Sequence, residues 1–65
     1  MTEEGYMAAL RAMGFQYLRE APPDAIMCRD RDGNFRRFPS PKGLSDYERE
    51  SVMEVIRQRE GIILN

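Results

Sequence analysis

Sixty-five residues allow one domain, and a chain this short removes only about 60% of its unfolded surface on folding, so the core needs every large apolar side chain. Histidine is absent and Cys28 is the only cysteine. These two facts exclude the usual general base, any Ser-His or Cys-His dyad, a four-ligand zinc site and an intramolecular disulfide. Ten basic residues against eleven acidic ones, with a pI near 5.3, leave the molecule as a whole without a basic footprint for nucleic acid.

In chain order, Thr2 has the chemistry of an N-cap, and Glu3 and Glu4 suit the positive end of a helix dipole. Tyr6, Ala9, Leu10 and Met13 recur at helical spacing, which predicts an amphipathic helix over 3–13. Gly14 stands where a left-handed stop residue belongs, with Phe15 placed to pack back on the last turn. Residues 15–19 are aromatic and short, a strand that Ala21-Pro22-Pro23-Asp24 ends because proline donates no backbone hydrogen bond. Residues 25–29 alternate as a second strand, with Ile26 and Cys28 on one face and Met27 and Arg29 on the other.

A hairpin loop at Arg31-Asp32-Gly33 then leads to a third strand over 34–38, which Pro39 stops. Two registers are open: Asp32-Gly33 as a two-residue loop, or Arg31-Asp32-Gly33 as a type I turn with a glycine bulge. The second is preferred, because it sets Ile26 opposite Phe38 and so pairs two core residues. After the loop at 39–43, Ser45-Asp46-Tyr47-Glu48 forms a capping box that opens a second helix. Val52, Val55 and Ile56 are its expected buried stripe, Glu50, Glu54, Arg57 and Gln58 its solvated side, and Gly61 its stop. Ile62-Ile63-Leu64 follow as an apolar tail.

The expected fold is therefore α+β, in the order helix-strand-strand-strand-helix, with a small antiparallel three-stranded sheet packing one face on two helices. Met7, Met27, Phe35, Met53, Ile63 and Leu64 are too many for so small a core, so some should be exposed or covered by a partner. That surplus also permits a homodimer, which would relieve the thin core. No stretch approaches the ~20 apolar residues of a membrane span, and Thr2-Glu3-Glu4 is unlike a signal peptide, so a cytoplasmic protein is expected.

Few residues carry candidate chemistry. Cys28 alternates with Ile26 on the presumed core face and reads as buried filler rather than a reactive thiolate. Asp30-Arg31-Asp32-Gly33 resembles the start of a calcium loop but lacks the later ligands, and a turn explains it better. The glycines are too dispersed to cradle a phosphate, and the carboxylate pairs Asp46/Glu50 and Glu50/Glu54 belong to a solvated helix face. No cofactor, metal or catalytic residue is assigned.

Charge is segregated: residues 29–42 hold five basic side chains against two acidic ones, between two segments that are each net acidic. Arg29, Arg31, Phe35, Arg36, Arg37 and Lys42 are the candidate partner-binding residues. Arginine beside an exposed aromatic ring suits a protein interface, and the same set can hold phosphates while the ring stacks on a base. The plainer account is an arginine-rich solvent face balanced by Asp30, Asp32 and the acidic helix.

The element order resembles the double-stranded-RNA-binding-like fold. Leu10 and Met13 before Gly14-Phe15, the hairpin ending at Phe38-Pro39, and Val55-Ile56 leading to Gly61-Ile62 resemble the HicA family of small toxin ribonucleases. That family's catalytic histidine lies in a Gly-Ser-His segment near the second strand, where this chain has Ala21-Pro22-Pro23-Asp24, so the resemblance implies a fold and transfers no catalytic residue. The leading expectation is a non-catalytic protein-interaction module, of the size class that bacteria and phages use as inhibitors or regulators of larger complexes. RNA binding through the basic hairpin is the second expectation, and a degenerate HicA-like ribonuclease the third.

Overall fold

A computed structural model describes residues 1–61, and the apolar tail at 62–64 lies outside the described residues. The order is α1 (Glu3–Ala12), β1 (Gln16–Ala21), β2 (Ala25–Arg29), β3 (Phe35–Pro39) and α2 (Asp46–Arg59), and the three strands form one antiparallel sheet in the order β1-β2-β3. Among the described residues, no helix is long and apolar enough to cross a membrane.

The local signals act as their chemistry dictates. Thr2 Oγ1 accepts from the Gly5 amide at 2.9 Å, and Gly14, at φ 95°, lets the Phe15 amide reach back to the Leu10 carbonyl at 3.0 Å. The Ser45/Glu48 capping box is complete in both directions, and the Ser45 amide, with its side chain second, holds the Glu48 carboxyl below its ordinary pKa. In the hairpin the three-residue loop is the one formed: Gly33 has φ 85°, Asp30 pairs with Asn34, and Ile26 faces Phe38. The third strand runs one residue further than expected. Pro39 can end it because the Asp24–Ser40 and Asp30–Asn34 pairings turn the even-numbered amides of β3 toward β2, which puts the missing proline N–H on the free edge.

The first strand starts one residue later than the sequence predicts and runs on to Ala21, with a bulge between Tyr17 and Arg19. Tyr17 pairs with Cys28 and Glu20 with Ile26, so side chains three apart share a face and the Tyr17 hydroxyl donates to Glu20 at 2.6 Å.

One core sits between the sheet and the helices: Tyr6 and Leu10 from α1, Phe15, then Ile26, Cys28 and Phe38 from the sheet, and Met53 and Ile56 from α2. Phe15 and Phe38 meet edge to face, centroids 4.8 Å apart. The buried stripe of α2 departs from the expected one. Met53 is fully buried whereas Val55 is 48% exposed, because the inward positions are Arg49, Met53 and Ile56, spaced four and three apart. Of the other apolar residues expected to be in surplus, Met7 and Met27 are half-buried and Phe35 is exposed.

Arg49 is buried, and all three nitrogens of its guanidinium have a partner. It donates to the Pro41 carbonyl at 3.0 Å, the Met1 carbonyl at 3.3 Å and Asp46 Oδ1 at 2.7 Å, and lies 3.6 Å from Glu3 Oε2. One planar fork thus ties the chain start, the loop before α2 and the first turns of both helices. A lysine presents a single ammonium to those four partners. Arg49→Lys should therefore lose roughly 1–3 kcal/mol of stability in urea unfolding, against less than about 0.5 kcal/mol for Arg57→Lys on the outer side.

Tyr6 reaches across the core to donate its hydroxyl to the Pro39 carbonyl at 2.6 Å. Burial, and secondarily the neighbouring Cys28, push the phenol up to about 12, while burial also raises the Cys28 thiol. The folded state keeps protons that the unfolded chain releases, so this stability is complete below the ordinary thiol and phenol values and is lost as pH rises, for Tyr6 between about 10 and 12. Urea midpoints should fall more steeply over that range for the native protein than for Tyr6→Phe; parallel curves would show that the buried phenol is not the cause.

Candidate binding face

Residues opposite each other in antiparallel strands share a face, so the register sorts the sheet into two surfaces. The inner rows are Tyr17–Cys28–Arg36 and Glu20–Ile26–Phe38; the outer rows are Gln16–Arg29–Phe35, Arg19–Met27–Arg37 and Ala21–Ala25–Pro39. Ile26, Cys28 and Phe38, the sheet's members of the core cluster, lie in the inner rows, so the helices pack there, and among the described residues no helix covers the outer face. Rows on one face repeat about every 7 Å along a strand, and neighbouring strands are about 4.8 Å apart.

The outer face therefore carries Arg19, Arg29 and Arg37 around Met27, with Phe35 at one corner. All three arginines are exposed, and among the described residues none takes part in an ion pair with a side chain. Phe35 is 65% exposed, with the Arg29 guanidinium 5.3 Å from its ring centroid. No outer-row residue carries a carboxylate. The helices carry exposed Glu4, Glu48, Glu50 and Glu54 beside exposed Arg11 and Arg59, so the molecule is polarised between a basic sheet face and a mildly acidic helical side.

Of the six candidate residues, the structure brings Arg29, Phe35 and Arg37 together and sets the other three apart. Arg36 belongs to the inner rows. Its guanidinium lies 5.3 Å from the Phe15 centroid and 5.7 Å from that of Phe38, bonds Glu60, and stands 3.7 Å from Asp30, so it fastens the hairpin to the end of α2. Its hydrogen bond to Glu60 raises its pKa, although half-burial opposes the charge. Arg31 folds against α1's stop, where a Cβ added at Gly14 would collide with its Nε. Lys42, in the loop before α2, is 3.8 Å from Glu20. Two further members are Gln16, opposite Arg29, and Arg19, which reaches the face because Leu18 is bulged out of the ladder, an irregularity that has no sequence signal here.

The remaining features belong to structure. Among the described residues no group of His, Cys, Asp or Glu is placed to hold a metal ion. Cys28 is fully buried with its thiol pKa raised, the opposite of an activated nucleophile. Asp30 accepts from the Asp32 and Asn34 amides, both at 2.9 Å, and so builds the hairpin turn. A groove between β3 and α2 has an apolar lining of Phe38, Val52, Val55 and Ile56, with the Arg36–Glu60 pair in its wall. No family model matches the chain, and neither a curated protein nor a solved structure matches it.

Arg36 and Arg37 are adjacent in sequence and opposite in role. Arg36→Ala should cost about 1–2 kcal/mol in chemical denaturation, through lost ring and carboxylate contacts. Arg37→Ala should stay within about 0.5 kcal/mol. Equal losses would contradict the division of the two faces.

Proposed function

We propose that the protein is a non-catalytic interaction module that holds an anionic partner macromolecule against the helix-free face of its sheet. The observation that carries this reading is the placement of Arg19, Arg29 and Arg37 on that one face with no carboxylate among them. A guanidinium is weakly hydrated and forks onto planar anions, so three of them around apolar Met27 and Phe35 form a surface that exchanges water for a partner at low cost. The acidic helical side repels the same partner and so fixes the orientation of approach.

A chain without histidine, whose only thiol is buried, suits binding better than catalysis. An inhibitor or adaptor docking on a larger complex in the cytoplasm is the use this architecture fits. A symmetric homodimer through this face is disfavoured, since it would set three arginines against three.

Retention on an immobilised polyanion such as heparin tests the reading, because the net charge of −1 at pH 7 opposes it and only a local basic face can drive it. The native protein should be retained at low salt, Arg29→Glu/Arg37→Glu should elute in the flow-through with its fold intact by circular dichroism, and Arg11→Glu on α1 should elute as the native protein does. Equal elution of all three would refute the proposal.

A further inference from the structure

The partner's chemistry is written in the corner where the arginines meet the aromatic ring. Phe35 lies on β3, an edge strand, so its ring has a sheet neighbour on one side only, and that neighbour is Arg29. The ring is 65% exposed although an apolar side chain in a small domain gains by burial. A carboxylate-bearing protein strip would satisfy the guanidiniums and leave this ring unused. A nucleotide uses both, with phosphate on the arginines and the base on the ring, and Gln16 in the same row offers an amide to a base edge.

We infer that the helix-free face binds a short stretch of single-stranded nucleic acid, with one base stacked on Phe35 and phosphates held by Arg19, Arg29 and Arg37. This rests on the open face being the docking surface. The strand must be single because stacking on a side chain requires an unpaired base. Two rows about 7 Å apart, across three strands spanning about 10 Å, match about two or three nucleotides, the scale on which an open sheet reads splayed bases. The affinity is accordingly modest and salt-dependent, with a log-log slope of about −2 for three phosphate contacts on a single strand.

The test is fluorescence anisotropy of labelled ten-residue oligouridylate and oligothymidylate between about 20 and 200 mM salt, with an unstructured polyglutamate peptide as the protein-like polyanion. Expected are binding to an oligonucleotide, a loss on the order of 10-fold or more for Phe35→Ala, and a slope shallower by about 0.7 for each of Arg19→Ala and Arg37→Ala. Arg11→Ala, which removes the same charge from the helical side, should change neither. Preference for one oligomer reports the 2′-hydroxyl and the thymine C5-methyl together, the two groups by which they differ. Oligonucleotide binding that ignores Phe35→Ala, or falls equally with Arg11→Ala, overturns the inference. Binding of polyglutamate alone, lost in Arg29→Glu/Arg37→Glu, overturns it too while leaving the open face as the docking surface. If neither probe depends on the face, both readings fall.

Discussion

A chain of this length has two helices to cover a three-stranded sheet, and that is enough apolar material for one face only. Tyr6, Leu10, Phe15, Met53 and Ile56 close over Ile26, Cys28 and Phe38, and among the described residues no helix covers the other side. The pairing of Ile26 with Phe38 commits the whole sheet to this arrangement, since in a period-two structure one buried pair sorts every other residue of both strands. The solvated outer face is the complement of a core just large enough to hold the domain together.

Within that limit the arginines divide into two groups. Arg49 and Arg36 are drawn inward and neutralised by neighbours, and they join parts of the chain distant in sequence: Arg49 links Met1 with α2, and Arg36 links the hairpin with Glu60. Fastening by polar forks supplements a small apolar core in placing the chain start and the end of α2. Arg19, Arg29 and Arg37 do the reverse: they are exposed and, among the described residues, form no side-chain ion pair, although Arg19 also donates to the Glu20 carbonyl at 3.2 Å. A binding surface of this kind relies on the structural arginines, because the flat sheet that spaces its cations is held by the other pair.

The fold was legible wherever a residue type is forced by backbone geometry. Gly14 and Gly33 lie at positive φ, Ser45 and Glu48 satisfy each other's amides, and the alternation of Ile26 and Cys28 marks the core face. The buried stripe of α2 is not legible as apolar spacing, because Arg49 occupies one of its positions. A charge in the inward row breaks the apolar periodicity and shifts the apparent stripe toward Val55. The candidate site was legible in half: Arg29, Phe35 and Arg37 follow from strand alternation. Arg36 was separable from them by the same rule, because it stands two residues from Phe38. Treating the hairpin as one basic patch hid that parity. Arg19 was beyond reach, since its side of the sheet depends on a bulge that neither propensity nor turn chemistry announces.

That bulge sets the sign of the surface. Strict alternation from Gln16 would send Leu18 and Glu20 outward and turn Arg19 toward the helices. The one unpaired residue at Leu18 reverses this, so that Glu20 leaves the outer face and Arg19 joins it. A single-residue insertion in the ladder thus exchanges an anion for a cation, a swing of two charges, with no change in composition. Deleting Leu18 would leave Tyr17 opposite Cys28 and Arg19 opposite Met27 and the face unchanged, whereas a regular ladder that kept Leu18 would put Glu20 outward and turn Arg19 in, with every ionisable side chain the same. The electrostatic character of the face is in that sense a property of the ladder's counting as much as of its residues.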